Sequence, residues 1–429
     1  ARGAVAVVTD EAGAALTSAL PTLVVKDVRV AGAIIASSLY KDPTRDLATI
    51  GITGTNGKTT VTTLLYQLFA GAGRETGLIG TIETRIGSEI LKSVRTTPEA
   101  PELQALSAVM RERHMRALVM EVSSHALSMN RVKASHFAMV GFTNLSQDHL
   151  DFHKDMESYF TAKAKLFTYE YADFGFINID NEYGARLATQ CEIPVVTLSR
   201  SNSAAQWHFT AIHTIASGAE ISIRGNGGIL IESKSCLLGG YNLDNLLMAV
   251  AIAHESGIDP VEIASLIPAL TGAPGRVEPI SLGQNFTALV DYAHSPDAVE
   301  KVLAAAREFT SGKVIAVLGC GGDRDATKRP LMGQALASGS DVAIFTSDNP
   351  RSESPAEILR QMTAKLAIKE PSKIIEDRLA AITYAVNLAS DGDTVLILGK
   401  GHEMGQEVAG VITPFDDRLT LAQAIEAKK

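Results

Sequence analysis

The run Gly51-Ile-Thr-Gly54-Thr55-Asn56-Gly57-Lys58-Thr59-Thr60 combines residue types that handle phosphate. Glycines let successive backbone N–H groups turn toward an anion, and a helix that starts there adds partial positive charge. In such a loop a lysine reaches the outer phosphates and the next hydroxyl faces a divalent cation. Lys58 and Thr59 stand at those places, so the expected ligand is the phosphate chain of ATP. One spacing departs from the strict pattern: Ile52 stands where the first glycine belongs, and Gly51 comes one residue early.

Two further segments carry ligating groups. Glu121 closes an apolar run in Met120-Glu-Val-Ser-Ser-His125, and Asn144-Leu-Ser-Gln-Asp148-His149-Leu-Asp151-Phe-His153 follows another. A carboxylate at the C-terminal edge of a parallel strand faces the ligand crevice of an open α/β sheet. Oxygen ligands with one imidazole suit Mg2+ or Mn2+. His149 and His153 have helical i, i+4 spacing, which leaves a zinc pair open, although no HExxH accompanies it. A polar loop with a helix cap accounts for the same residues without any metal. Lys163 and Lys165, in Ala162-Lys-Ala-Lys-Leu-Phe167, read on their own as a solvated helix face.

These residues need a scaffold, and the chain supplies an α/β rhythm. Strands are expected at 49–53, 117–122, 138–142, 175–179 and 194–198, with helices at 59–70 and 242–254. The segment 208–237 alternates around Gly225–Gly228 and reads as an antiparallel patch. Thr271-Gly-Ala-Pro-Gly275 breaks the pattern and marks a boundary. Beyond it, strands at 288–291, 314–318, 342–346, 373–375 and 394–398 alternate with helices at 296–309, 355–367 and 377–388. The expected class is α/β. A central phosphate-loop domain (43–274) with a mostly parallel sheet precedes a C-terminal Rossmann-like domain (275–429). Residues 1–42 read as a truncated N-terminal α/β domain.

Composition narrows the function further. The 429 residues are 46% hydrophobic and 20% charged, with net charge −9. That disfavours disorder and a broad nucleic-acid surface. The three cysteines, Cys191, Cys236 and Cys320, lie far apart, which suits a reducing compartment. Cys320 reads as a buried, inert thiol. No unbroken apolar run is long enough to span a bilayer, so a cytoplasmic chain with no membrane partner is expected.

The motifs together resemble the Mur ligase family, the ATP-dependent amide-forming enzymes of peptidoglycan precursor synthesis. The resemblance rests on GTNGKTT (54–60), GYNLDN (240–245) and GR (275–276), and extends along the whole chain. It is strongest to the branch that adds the third residue of the stem peptide, through RTTPE (95–99), EVSSH (121–125), DYAH (291–294), GCGGDRD (319–325), SDNPR (347–351) and GKGHE (399–403).

The resemblance implies roles position by position. Gly54, Thr55, Asn56, Gly57, Lys58, Thr59, Thr60, Asn242, Asn245 and Arg276 would hold ATP. Asp291 would lie near the ribose and phosphates. Thr59, Glu121 and His149 would hold Mg2+. Lys163 would be carbamylated and its carbamate would ligate or orient Mg2+, which replaces its solvated-face reading but leaves that of Lys165. Thr96, Thr97, Ser123 and Arg131 would hold the dipeptide end of the nucleotide sugar, with Met129 where some members carry glutamine. The family's uridine-contacting N-terminal segment is not among these residues, and a missing start is the expectation.

The implied reaction activates the D-glutamate carboxylate of UDP-MurNAc-L-Ala-D-Glu as an acyl phosphate, which the amine of the third amino acid then attacks. Arg351, within Asp348-Asn349-Pro350-Arg351, suits the distal carboxylate of meso-diaminopimelate, because guanidinium binds carboxylate bidentately. Arg329 would take the other carboxylate, and Glu403 beside Gly399 the distal ammonium. The alternatives are the same ligation with L-lysine and a folylpolyglutamate synthase-like ligase. Expected partners are small molecules alone, and a monomer is expected.

Overall fold

The computed structural model describes residues 3–16, 20–215 and 218–428. The chain divides into two compact units. One holds Ala1–Ile212, Glu220–Ser235 and Leu243–Leu270. The other holds His213–Ala219, Cys236–Asn242 and Thr271–Lys429.

The first unit is built on an 11-stranded sheet. Strand Ala48–Thr53 lies inside it, between Ala117–Glu121 and Phe137–Phe142, and pairs parallel with both. Five of its six residues are buried, as a strand covered on both faces must be. The register sets Ile52 beside Glu121 on one side and Gly141 on the other. The loops after all three strands therefore leave the sheet at one edge, where open α/β sheets bind ligands. The next helix, Lys58–Gly71, buries Val61, Leu64, Leu65, Leu68 and Phe69.

Segment 208–237 supplies three successive neighbouring strands, Trp207–Ile215, Gly218–Arg224 and Leu230–Ser235, which extend the large sheet. The first of them joins parallel, with Trp207 opposite Leu198 and His208 opposite Ser199. The other edge is an antiparallel meander of Thr76–Ile79, Glu83–Ile86 and Glu89–Lys92, which the sequence pattern did not single out.

The described residues before 43 fall in this first unit. Strands Val7–Thr9 and Thr22–Val24 pair parallel, and Asp27 caps helix Val28–Tyr40. Arg111 donates to the carbonyls of Tyr40 and Lys41, which ties the end of that helix to helix Ala100–Glu112.

The second unit carries a 6-stranded sheet in the order Glu278–Pro279, Thr287–Asp291, Thr394–Leu398, Val314–Cys320, Val342–Ser347 and Lys373–Ile374. All pairs but the first are parallel. Alternate residues of each central strand enter two cores. Val314, Ala316 and Leu318 face one, and Ile315 and Val317 the other. Among the described residues no helix is long and apolar enough to cross a membrane.

Candidate active site

The phosphate loop is held open by its glycines and by the neighbouring strand end. Gly54 has φ 146° and Gly57 φ 88°, values that residues with a Cβ rarely adopt. A Cβ at Gly54 would stand 1.9 Å from Thr143 Oγ1, and one at Gly57 2.3 Å from Asn245 Oδ1. The early glycine has another task. A Cβ at Gly51 would meet the Phe137 ring at 2.8 Å, so Gly51 serves strand packing and Gly54 makes the turn.

Lys58 folds back over the loop, donating to the carbonyls of Gly54 (2.9 Å) and Thr55 (2.8 Å). Thr55 donates its N–H to Asn144 O, and Asn56 donates its own to Asn144 Oδ1. The loop after strand Phe137–Phe142 thus braces the phosphate loop. Thr60 is buried in the first helical turn.

Glu121 is fully buried, and its carboxylate is satisfied by three donors. Thr59 Oγ1 donates to Oε2 at 3.0 Å, Thr81 Oγ1 to Oε2 at 3.0 Å, and the Thr81 N–H to Oε1 at 2.7 Å. Thr59 and Glu121 therefore meet side chain to side chain. Thr81 was not foreseen, because it lies in a turn far from any motif. Its hydroxyl also lies 3.1 Å from that of Thr96. Thr97 Oγ1 donates to the Glu121 carbonyl and accepts from the Ser123 N–H, and Ser123 caps helix Ser124–Ser128. Arg131 pairs with Glu99 at 3.0 Å, beside the Met129 sulfur.

His149 lies in a left-handed turn (φ 54°), exposed beside Asp148. Its ring meets His125 edge-on at 4.9 Å. The half of the ring that is covered is desolvated, which lowers its pKa, partly opposed by Asp148. His153 is buried and turns Nε2 to Ser124 Oγ at 2.9 Å, so its spacing from His149 serves packing. Among the described residues no three His, Cys, Asp or Glu side chains come together as a metal site. The Thr59–Glu121 pair still suits Mg2+, which uses one or two carboxylates beside phosphate oxygens and water.

Lys163 and Lys165 part company in helix Met156–Ala164 and the turn after it. Lys165 is exposed, whereas Lys163 is 1% exposed. The Lys163 amine donates to Gly54 O at 2.7 Å and lies 4.7 Å from the centre of the Tyr159 ring. Burial holds its pKa well below the usual lysine range, and the charge of Lys58 adds to this against Asp148. Tyr159, one turn earlier, touches Thr55 Oγ1 with its hydroxyl at 3.1 Å.

In the second unit Asp291 receives the N–H groups of Val277 (2.8 Å) and Ala293 (2.7 Å). Burial raises its pKa against the pull of Arg276. Arg276 lies over the Tyr292 ring at 4.6 Å. Asn242, also buried, donates to Leu238 O. Gly275 (φ 65°) leaves room for backbone alone, since a Cβ there would stand 2.2 Å from His402 N.

Two strand ends build the remaining group. Asp348, Asn349, Pro350 and Arg351 follow Val342–Ser347, while Gly399 to Glu403 follow Thr394–Leu398. Gly399 (φ 110°) makes space for Asp348, whose Oδ2 would lie 2.5 Å from a Cβ there. Arg351, in a left-handed turn, donates to Gly322 O at 2.7 Å and lies 3.4 Å from Glu407. Asn349 Nδ2 donates to Glu403 Oε2 at 2.7 Å.

Arg329 is paired inside the chain. It is buried, and its fork already holds both oxygens of Glu353 at 2.7 and 2.8 Å, with Gln361 as a further acceptor. Nη2 also donates to Gly321 O, while Nε has no partner among the described residues. The Cys320 thiol is buried, which pushes its pKa up to about 12. Sequence reasoning also missed Arg378, enclosed with Asp417 at 2.6 Å. It donates to Ser347 O and Leu398 O and so clamps both strand ends.

Fold and loop define an α/β protein of the phosphate-loop class, with the loop at a sheet edge. Two family descriptions match: the Mur ligase middle domain over residues 52–253, and the Mur ligase glutamate ligase domain over 275–401. The chain is 50% identical to a UDP-N-acetylmuramoyl-L-alanyl-D-glutamate--2,6-diaminopimelate ligase of Streptomyces coelicolor, over 99% of this chain and 85% of that one. A relative of the same name from Aquifex aeolicus is 42% identical over 99% of this chain and 86% of its own. The chain belongs to the Mur ligase family.

A solved structure bearing the same ligase name aligns with TM-score 0.70 and 33% identity, over 96% of this chain and 85% of that one. Mycobacterium tuberculosis folylpolyglutamate synthase aligns with TM-score 0.68 at 18% identity, over 86% of this chain and 92% of that one, a likeness of fold.

Proposed function

We propose that this chain is an ATP-dependent, ADP-forming ligase that joins meso-diaminopimelate to UDP-MurNAc-L-Ala-D-Glu. The observation that carries this reading is the convergence of Lys58, Thr59, Glu121 and Lys163 on one loop at the sheet edge. The names of relatives at 50% and 42% identity support the same substrates.

In this reading an oxygen of the D-glutamate carboxylate bonds to the γ-phosphorus of ATP, and the bond to the β,γ-bridging oxygen breaks. The diamino acid nitrogen then bonds to the acyl carbon, the acyl–oxygen bond breaks, and phosphate and a proton leave. Two anions must approach for the first step, so fixed positive charge is the main requirement. Lys58 supplies it at the phosphates. Thr96, Thr97, Ser123 and Arg131 orient the dipeptide end. Asn245, whose Oδ1 closes on Gly57, holds the nucleotide beside the loop. Mg2+, held by Thr59 and Glu121 with His149, would supply further charge neutralisation.

Lys163 acts as a carbamate. Burial lowers the pKa of its amine, which favours the uncharged form that captures CO2. Arg351 recognises the distal carboxylate of the diamino acid, since neither of its side-chain contacts uses Nη2. Glu403, one third exposed, takes the distal ammonium. The reading is of a cytoplasmic, monomeric enzyme of peptidoglycan precursor synthesis that works on small molecules.

The test is phosphate release from ATP with UDP-MurNAc-L-Ala-D-Glu, run with meso-diaminopimelate and with L-lysine. Release with meso-diaminopimelate alone is expected. Release with L-lysine alone would keep the ligase and discard the role of Arg351. Glutamate addition to a folate, with silence toward the nucleotide sugar, would replace the reading.

A further inference from the structure

Lys400 is a lysine with no route to water: its exposure is 0%. It follows Gly399 at the end of strand Thr394–Leu398. Its ammonium donates to Gly405 O at 2.6 Å, to Asn349 Oδ1 at 3.2 Å and to Glu403 Oε2 at 3.3 Å. Asn349 Nδ2 donates to that same Oε2 at 2.7 Å. Both internal donors thus load one oxygen of Glu403. Among the described residues Oε1 has no hydrogen bond, and the Glu403 side chain is 33% exposed.

Burying an ammonium is costly unless it is paired and hydrogen-bonded. A brace between two loops could be made from apolar side chains, so the charge itself asks for a reason. The groups around it supply one. Asp348, Glu403, Glu407 and Asp417 bring four carboxylates, against Arg351, Arg378 and Lys400 as cations. Without Lys400 this end of the unit would carry one more uncompensated negative charge, beside the place proposed for a substrate carboxylate.

We infer that Lys400 is a specificity-determining positioning residue. It pins and neutralises Glu403 Oε2, so that Oε1 meets an ammonium while the pocket still admits the adjoining carboxylate. The inference rests on the proposed amino-acid site. The distal end of meso-diaminopimelate carries both charges and is neutral overall, whereas that of L-lysine is a lone cation. Removing the Lys400 charge penalises the first and favours the second.

The experiment uses the full chain with Lys400→Gln and Lys400→Met. It measures kcat/KM for meso-diaminopimelate and for L-lysine, KM for ATP, and thermal melting. The expected result is a preference for meso-diaminopimelate reduced by about tenfold or more, through a loss on that substrate and not on L-lysine, with KM for ATP unmoved. An equal loss on both substrates would mean a structural brace and would overturn the inference. An unchanged ratio would overturn it too, as would failure of both variants to fold. If the unmodified chain shows no preference for meso-diaminopimelate, the proposed function itself fails and takes this inference with it.

Discussion

The amine of Lys163 donates to the carbonyl of Gly54 at 2.7 Å, with the Tyr159 ring close on another side. This sets a buried nitrogen against the turn that opens the phosphate loop. Lys163→Ala is expected to lower turnover by about a hundredfold or more, the usual loss when a fixed charge at a reacting centre is removed. Acetate or propionate should restore part of the rate by replacing the carbamate. Turnover near that of the unmodified chain would end the catalytic role of Lys163.

Two glycines three residues apart should fail in different ways. Gly54→Ala places a methyl against Thr143 Oγ1 at φ 146°, a conformation nearly confined to glycine. Loss of ATP-analogue binding is expected, read by calorimetry. Gly51→Ala strikes the Phe137 ring within the sheet, so melting temperature should fall first. Equal effects of the two on ATP binding would contradict this division.

Thr81→Val keeps the shape and the backbone donor to Glu121 but removes the hydroxyl that reaches Oε2. The bond is worth about 1 kcal/mol, so a severalfold rise in the Mg2+ concentration needed for half-maximal rate is expected. A magnesium titration that does not move would show that Thr81 leaves Glu121 unaffected.

Burial, reinforced by His125 and Lys163, lowers the pKa of His153 to about 4 from an ordinary 6.5. Between those values the unfolded chain binds the proton and the folded chain does not. Stability is therefore retained above pH 6.5 and lost as pH falls toward 4, by on the order of 3 kcal/mol from this group. His402, buried near Arg276 and Arg418 with a pKa of about 4, acts in the same direction. Denaturant midpoints measured from pH 7 to 4 should fall, and His153→Gln should flatten the slope. An equally steep slope in that variant would remove His153 as a cause.

Arg378 and Asp417 face each other with no exposure on either side. Asp417→Asn leaves a buried guanidinium without its counter-charge and should cost about 3–5 kcal/mol. Arg378→Met with Asp417→Leu removes both charges and should cost less. The comparison is read from urea midpoints, and the opposite order would refute the charge-pairing account.

Much of this protein was legible from local pattern. Lys58 and Thr59 announce the phosphate loop because its chemistry is carried by consecutive residues. Glu121 is marked by its place at the end of an apolar strand. The βα rhythm gave both sheets, since a strand buried on two faces must be apolar throughout. Tertiary structure decided what depends on contacts distant in sequence. It separated Lys163 from Lys165, two neighbours on one helix stretch that differ only in what packs over them. It gave Arg329 to Glu353, and it brought Thr81 to Glu121 and Lys400 to Asn349. Side-chain burial and pairing are set by elements that meet across the fold, and no spacing along the chain records them.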